Sequence, residues 1–78
     1  MEQAIKGHPG LGGRVRQLRK ERNLTQDKMV SRLQVLGCDL SRGTYAKIEA
    51  GIRHISIKEL TAFTQILGVD FNTLFTDL

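Results

Sequence analysis

Four places in this 78-residue chain repeat one arrangement: an apolar residue, a small polar residue, and a second apolar residue four positions after the polar one. They are Leu24-Thr25 with Met29, Leu40-Ser41 with Tyr45, Ile55-Ser56 with Leu60, and Val69-Asp70 with Leu74. Thr, Ser and Asp side chains accept hydrogen bonds from the unpaired N–H groups of a helix's first turn, and the apolar pair across the cap fixes the angle at which the chain enters. Each arrangement therefore marks a helix start. The third is reinforced by Glu59, three residues after Ser56, which completes a capping box. Stops follow the same logic, with Gly37, Gly51 and Gly68 closing periodic segments and Asn23 serving as a left-handed exit.

The first helix precedes these signals, with Leu11, Val15 and Leu18 at the spacing of an inward face. Five short helices are thus expected, over about 13 to 22, 26 to 36, 42 to 49, 57 to 67 and 71 to 76. The nearest approach to a strand is "IRHISI" at Ile52 to Ile57, and the cap at Ser56 opposes it. The expected fold is a compact all-α five-helix domain over residues 11–78. Residues 1–10, which hold Gly7, Pro9 and Gly10, are expected to form a flexible arm.

Composition narrows the function. Twelve Lys and Arg against eight Asp and Glu give a formal charge of +4, which favours an anionic partner. The basic residues end at Lys58, while Glu59, Asp70 and Asp77 follow it, so one face for nucleic acid and another for protein is expected. Cys38 is a lone cysteine and is expected to be a small, semi-buried residue near a turn. The opening "MEQAIKGHPG" has no apolar run and no segment nears membrane-spanning length, so a soluble cytoplasmic protein is expected. His8 and His54 fall on the arm and a loop, and no metal-ligand spacing or nucleophile-base grouping accompanies them. Neither an enzyme, a metal site nor a cofactor is expected.

The third helix carries the most information. Tyr45 and Ile48 form its inward side, with Glu49 beside them, leaving Arg42, Gly43, Ala46, Lys47 and Ala50 outside and Thr44 at the flank. That outer surface is expected to be small, flat and without an acidic group. Glycine in a helix costs about 0.5–1 kcal/mol relative to alanine, so Gly43 calls for a reason. It either relieves crowding against a neighbouring helix or clears space for close approach to a ligand. A guanidinium such as that of Arg42 matches the paired acceptors of guanine in the major groove of DNA.

"RQLRKERNLTQDKM" followed by "SRGTYAKIEAGIRHISIKELTAFTQILGVDFNTLF" resembles the lambda-repressor/Cro-like helix-turn-helix family, also called the xenobiotic-response-element family. The resemblance covers about residues 11 to 76. Its marks are Arg19, Arg22, Leu24-Thr25-Gln26, Ile48-Glu49-x-Gly51 and Leu67-Gly68-Val69. It implies that Thr25 to Leu36 is the first helix of the motif and Arg42 to Glu49 the recognition helix. The base-contacting residues it implies are Arg42, Gly43, Thr44 and Lys47. The phosphate-contacting residues are Thr25, Gln26, Ser41, Arg53 and His54, and Arg19 with Glu49 form a structural ion pair.

Three departures stand against the family pattern. The span from Gln26 to Tyr45 is about five residues longer than usual, which predicts a longer second helix and a looser linker. Val30 replaces a small residue at the helix crossing, and Gly43 supplies no base-reading side chain. The resemblance implies a DNA-binding regulator, a repressor by preference, with double-stranded DNA as partner. Phe71, Leu74, Phe75 and Leu78 are expected either in the core or at a homodimer interface. The alternative function is a helix-turn-helix subunit, antitoxin-like in one form, whose main partner is another protein.

Overall fold

The computed structural model describes residues 9–75. It contains α1 (Pro9–Glu21), α2 (Gln26–Val35), α3 (Arg42–Glu49), α4 (Ile57–Leu67) and α5 (Phe71–Phe75). Among the described residues there is no strand, and no helix is long and apolar enough to cross a membrane.

All four predicted caps form. Thr25, Ser41 and Ser56 sit in extended conformation at the N-caps of α2, α3 and α4 and accept from Lys28, Thr44 and Glu59 N–H respectively. Asp70 Oδ1 accepts from Thr73 N–H at 2.8 Å. That bond holds the Asp70 carboxyl below its usual range. The capping box of Ser56 and Glu59 is complete. The exits also follow the sequence, with Asn23, Gly37, Gly51 and Gly68 all at positive φ.

Apolar residues from every helix meet in one core: Leu11, Val15, Met29, Leu33, Ile48, Leu67 and Leu74 are all 2 % exposed or less. Burial of each such side chain contributes about 1.5–3 kcal/mol, which stabilises helices too short to persist alone. Tyr45 and Phe63 join α3 to α4 through an edge-on ring contact with centroids 6.3 Å apart.

Two expectations are corrected here. The first helix begins at Pro9, not near Gly13, so Pro9 and Gly10 belong to α1 and not to an arm. Proline suits the first helical position, where its missing N–H has no partner to lose. Packing explains one of the glycines of α1, Gly12. A Cβ on Gly12 would stand 2.8 Å from the carbonyl oxygen of Glu49 and nearer still to that of Ile48, so α1 crosses the end of α3 at backbone distance. Residues 1–8, with His8, lie outside the described residues. The second correction is Leu74, which is fully buried against the core and so unavailable to a dimer interface, whereas Phe71 and Phe75 are 47 % and 37 % exposed. Leu78 lies outside the described residues.

Helix α2 ends at Val35, and residues 36–41 join it to α3. The longer linker is anchored, not loose. Cys38 N–H donates to the Leu33 carbonyl at 2.8 Å, and Cys38 and Leu40 are both buried.

Candidate nucleic-acid interface

The candidate surface is built on a buried cluster beneath α3. Arg19 of α1 donates from Nε to Glu49 Oε2 at 2.7 Å and from Nη2 to Glu49 Oε1 at 3.1 Å, and its Nη1 donates to the Leu24 carbonyl at 2.7 Å. Tyr45 donates its hydroxyl to Glu49 Oε2, and Gln26 Nε2 donates to Glu49 Oε1 at 3.1 Å. Burial pushes the Glu49 carboxyl up, yet hydrogen bonds from Arg19, Tyr45 and Gln26 outweigh it and hold the group below its ordinary range. For Tyr45, burial comes first and the bond to ionised Glu49 adds to it, so the phenol is pushed above its usual value. Hydrogen bonding to Glu49 raises the Arg19 guanidinium in turn, against the opposing effect of burial. The ion pair predicted between Arg19 and Glu49 is therefore present, and two further donors, from α2 and from α3 itself, tie the start of α2 to α3. Gln26 as a partner of Glu49 was not legible in the sequence; for Tyr45, which the sequence reading did not pair with Glu49, the four-residue step on α3 was the available signal.

Above this cluster the outer face of α3 is open. Arg42, Gly43 and Lys47 are exposed and Thr44 is half-buried. A Cβ at Gly43 would meet nothing within 4 Å, so the crowding explanation for this glycine is excluded. The Lys47 side chain makes no hydrogen bond or ion pair within the described residues, while its carbonyl accepts from Ile52 N–H at 3.0 Å. Thr44 Oγ1 accepts from Ser41 Oγ at 2.9 Å, which couples a residue expected at the bases to one expected at the backbone.

Two helix N-termini flank that face. At the start of α2, a cleft of about 380 Å³ is lined by Arg19, Thr25, Gln26, Asp27 and Arg42. Beside it, Arg16 of α1 shares a second cleft of about 270 Å³ with Gln26, Ala46, Glu49 and Ala50. At the start of α4, a third of about 410 Å³ is lined by Ile52, Arg53, His54, Ser56 and Glu59. Helix N-termini present unpaired N–H groups and a partial positive charge, which suits phosphate. An apolar groove lined by Arg32, Val35, Leu36, Gln65 and Ile66 lies at the other end of α2 and takes no part in this surface.

The structure qualifies two of the sequence-predicted residues. Arg53 Nη1 donates to Glu59 Oε1 at 2.9 Å and to the His54 carbonyl at 2.8 Å, so its charge is partly matched by the acid that also caps α4. His54 is exposed beside it. The acid-free character of the α3 face holds within the helix but not around it, because Asp27 of α2 reaches Arg42, with Oδ1 3.7 Å from Nε. Arg16 is a basic residue of this surface that the sequence reading did not single out. Its position, three residues before Arg19 on the same helix, was the signal that would have found it.

The profile of the helix-turn-helix domain family matches residues 10–74. The chain is also 32% identical over 68 residues to "Control protein C.MunI" from Mycoplasma sp, an alignment covering 86% of this chain and 85% of that protein. No solved structure matches the chain significantly. A match that spans all five helices leaves one conclusion: the chain belongs to the helix-turn-helix family of DNA-binding transcriptional regulators.

Proposed function

We propose that this protein regulates transcription by placing α3 in the major groove of a specific operator as a homodimer. The observation that carries the reading is the open face of α3. Arg42, Thr44 and Lys47 surround a glycine with nothing within 4 Å of its Cβ position, so the backbone there can approach base edges closely. Arg42 would take the paired acceptors of guanine, with Thr44 and Lys47 reading neighbouring edges. Gly43 contributes clearance. Thr25, Gln26 and Ser41 at the N-termini of α2 and α3, with Arg53 and His54 before α4, would hold the flanking phosphates and set the register.

Similarity to a control protein supports regulation as the outcome of binding. Repression by occupancy is the form proposed, since the described domain is given over to the helix-turn-helix and its support. The exposed rings of Phe71 and Phe75 support pairing of two copies through the α5 end. Site selection from a random duplex pool at near-physiological salt tests the reading. An enriched inverted repeat with half-sites about 10 base pairs apart is expected. Salt-sensitive, sequence-blind binding would contradict it and turn the search to a protein partner.

A further inference from the structure

The carboxylate of Asp27 stands in the first turn of α2, in the cleft where phosphate is expected, and an acid there opposes the attraction of DNA. Its presence calls for a compensating role. Asp27 Oδ1 lies 3.7 Å from Arg42 Nε, with the two side chains 74% and 66% exposed. An exposed pair of this kind adds little to stability. What the pair does alter is the freedom of Arg42. Gly43 offers no side chain to confine the guanidinium, and the Ser41 and Thr44 hydroxyls are bonded to one another. Asp27 is the acidic group that faces it across the cleft.

We propose that Asp27 is a specificity-determining residue, which presents Arg42 to the base edge. An acid beside Nε leaves both terminal nitrogens free, and one N–H from each forms a fork that fits guanine O6 and N7. Holding Arg42 in that pose before DNA arrives removes rotamers that would otherwise contact phosphates of any sequence. Asp27 thus trades general affinity for discrimination. The inference rests on the reading in which Arg42 faces a base.

The test is a double-mutant cycle with Asp27→Asn and Arg42→Ala. Binding of the selected operator is compared with that of a duplex changed at the base pair assigned to Arg42. Asp27→Asn is expected to tighten binding to the altered duplex and to lower the ratio between the two duplexes by up to about fivefold, the scale of an exposed ion pair. In the Arg42→Ala background the same change should leave the ratio unaltered. An equal gain for both duplexes in both backgrounds would reduce Asp27 to a repulsive charge and overturn the inference. So would a lowered melting temperature with an unchanged ratio, which would make Asp27 a helix-end residue only. If Arg42→Ala itself leaves the ratio intact, the base-contact reading fails first and the inference falls with it.

Discussion

Gly12 of α1 lies so close beneath Glu49 of α3 that a Cβ added to the glycine would stand 2.8 Å from the Glu49 carbonyl oxygen. That carbonyl is main chain and cannot swing aside. Gly12→Ala is therefore expected to force α1 away from α3 and to cost about 1–3 kcal/mol, the range for overpacking. Gly43, on a face with nothing within 4 Å, answers oppositely. Gly43→Ala should stabilise the fold by about 0.4–1 kcal/mol, because alanine loses less backbone entropy on folding. Urea unfolding of the two variants checks both signs.

Glu49 links this crossing to pH. Its carboxyl is held below the ordinary value of 4.5, so in acid the unfolded chain takes up the proton before the folded one does. Stability from this group is present above that value and is lost as pH falls through the lower, folded one. Glu49→Gln should make the acid loss of stability shallower, because the pH-dependent bond is gone. At neutral pH the same variant should be less stable by about 3–5 kcal/mol, since it leaves the buried Arg19 charge unpaired. Chemical unfolding at a series of pH values measures both effects.

The repeated caps made α2 to α5 legible from the sequence because each depends on contacts within one turn, between residues such as Ser56 and Glu59. The start of α1 was not legible for a physical reason. Gly10, Gly12 and Gly13 disfavour a helix locally, and only the backbone of α3, distant in sequence, explains why one of them is needed. Leu74 was placed between core and interface because periodicity reports an apolar face without naming its partner. At the candidate site, the residue types on α3 were readable from their spacing. Asp27 beside Arg42 and Glu59 beside Arg53 were not, since both pairings are set by how helices and loops meet.

Arg42 and Arg53 should separate by the character of their loss. Arg42→Ala is expected to cost about 1–3 kcal/mol at the operator and to relax preference at one base pair. Arg53→Ala should weaken all sequences alike and lower the salt slope by about one. It should also reduce stability, because Arg53 is bonded to the Glu59 carboxylate that caps α4. Titrations of operator and unrelated duplex across a salt series distinguish the two.

The α5 end offers a test of pairing. Phe71→Ser and Phe75→Ser are expected to shift the protein toward monomer while keeping its helical content. Leu74→Ala instead removes a fully buried side chain and should cost about 2–5 kcal/mol of stability. Sedimentation equilibrium of the Phe variants, beside thermal melting of Leu74→Ala, checks this division.

The most direct test of the account is an anisotropy titration of the selected operator with Gly43→Leu beside the wild-type protein, after their melting curves have been compared. Since nothing occupies the space around Gly43, the leucine should leave the fold intact, and its bulk should hold α3 away from the bases and abolish specific binding. Normal melting with lost operator binding is the predicted result. Normal melting with unchanged operator affinity would contradict the claim that this face of α3 meets DNA.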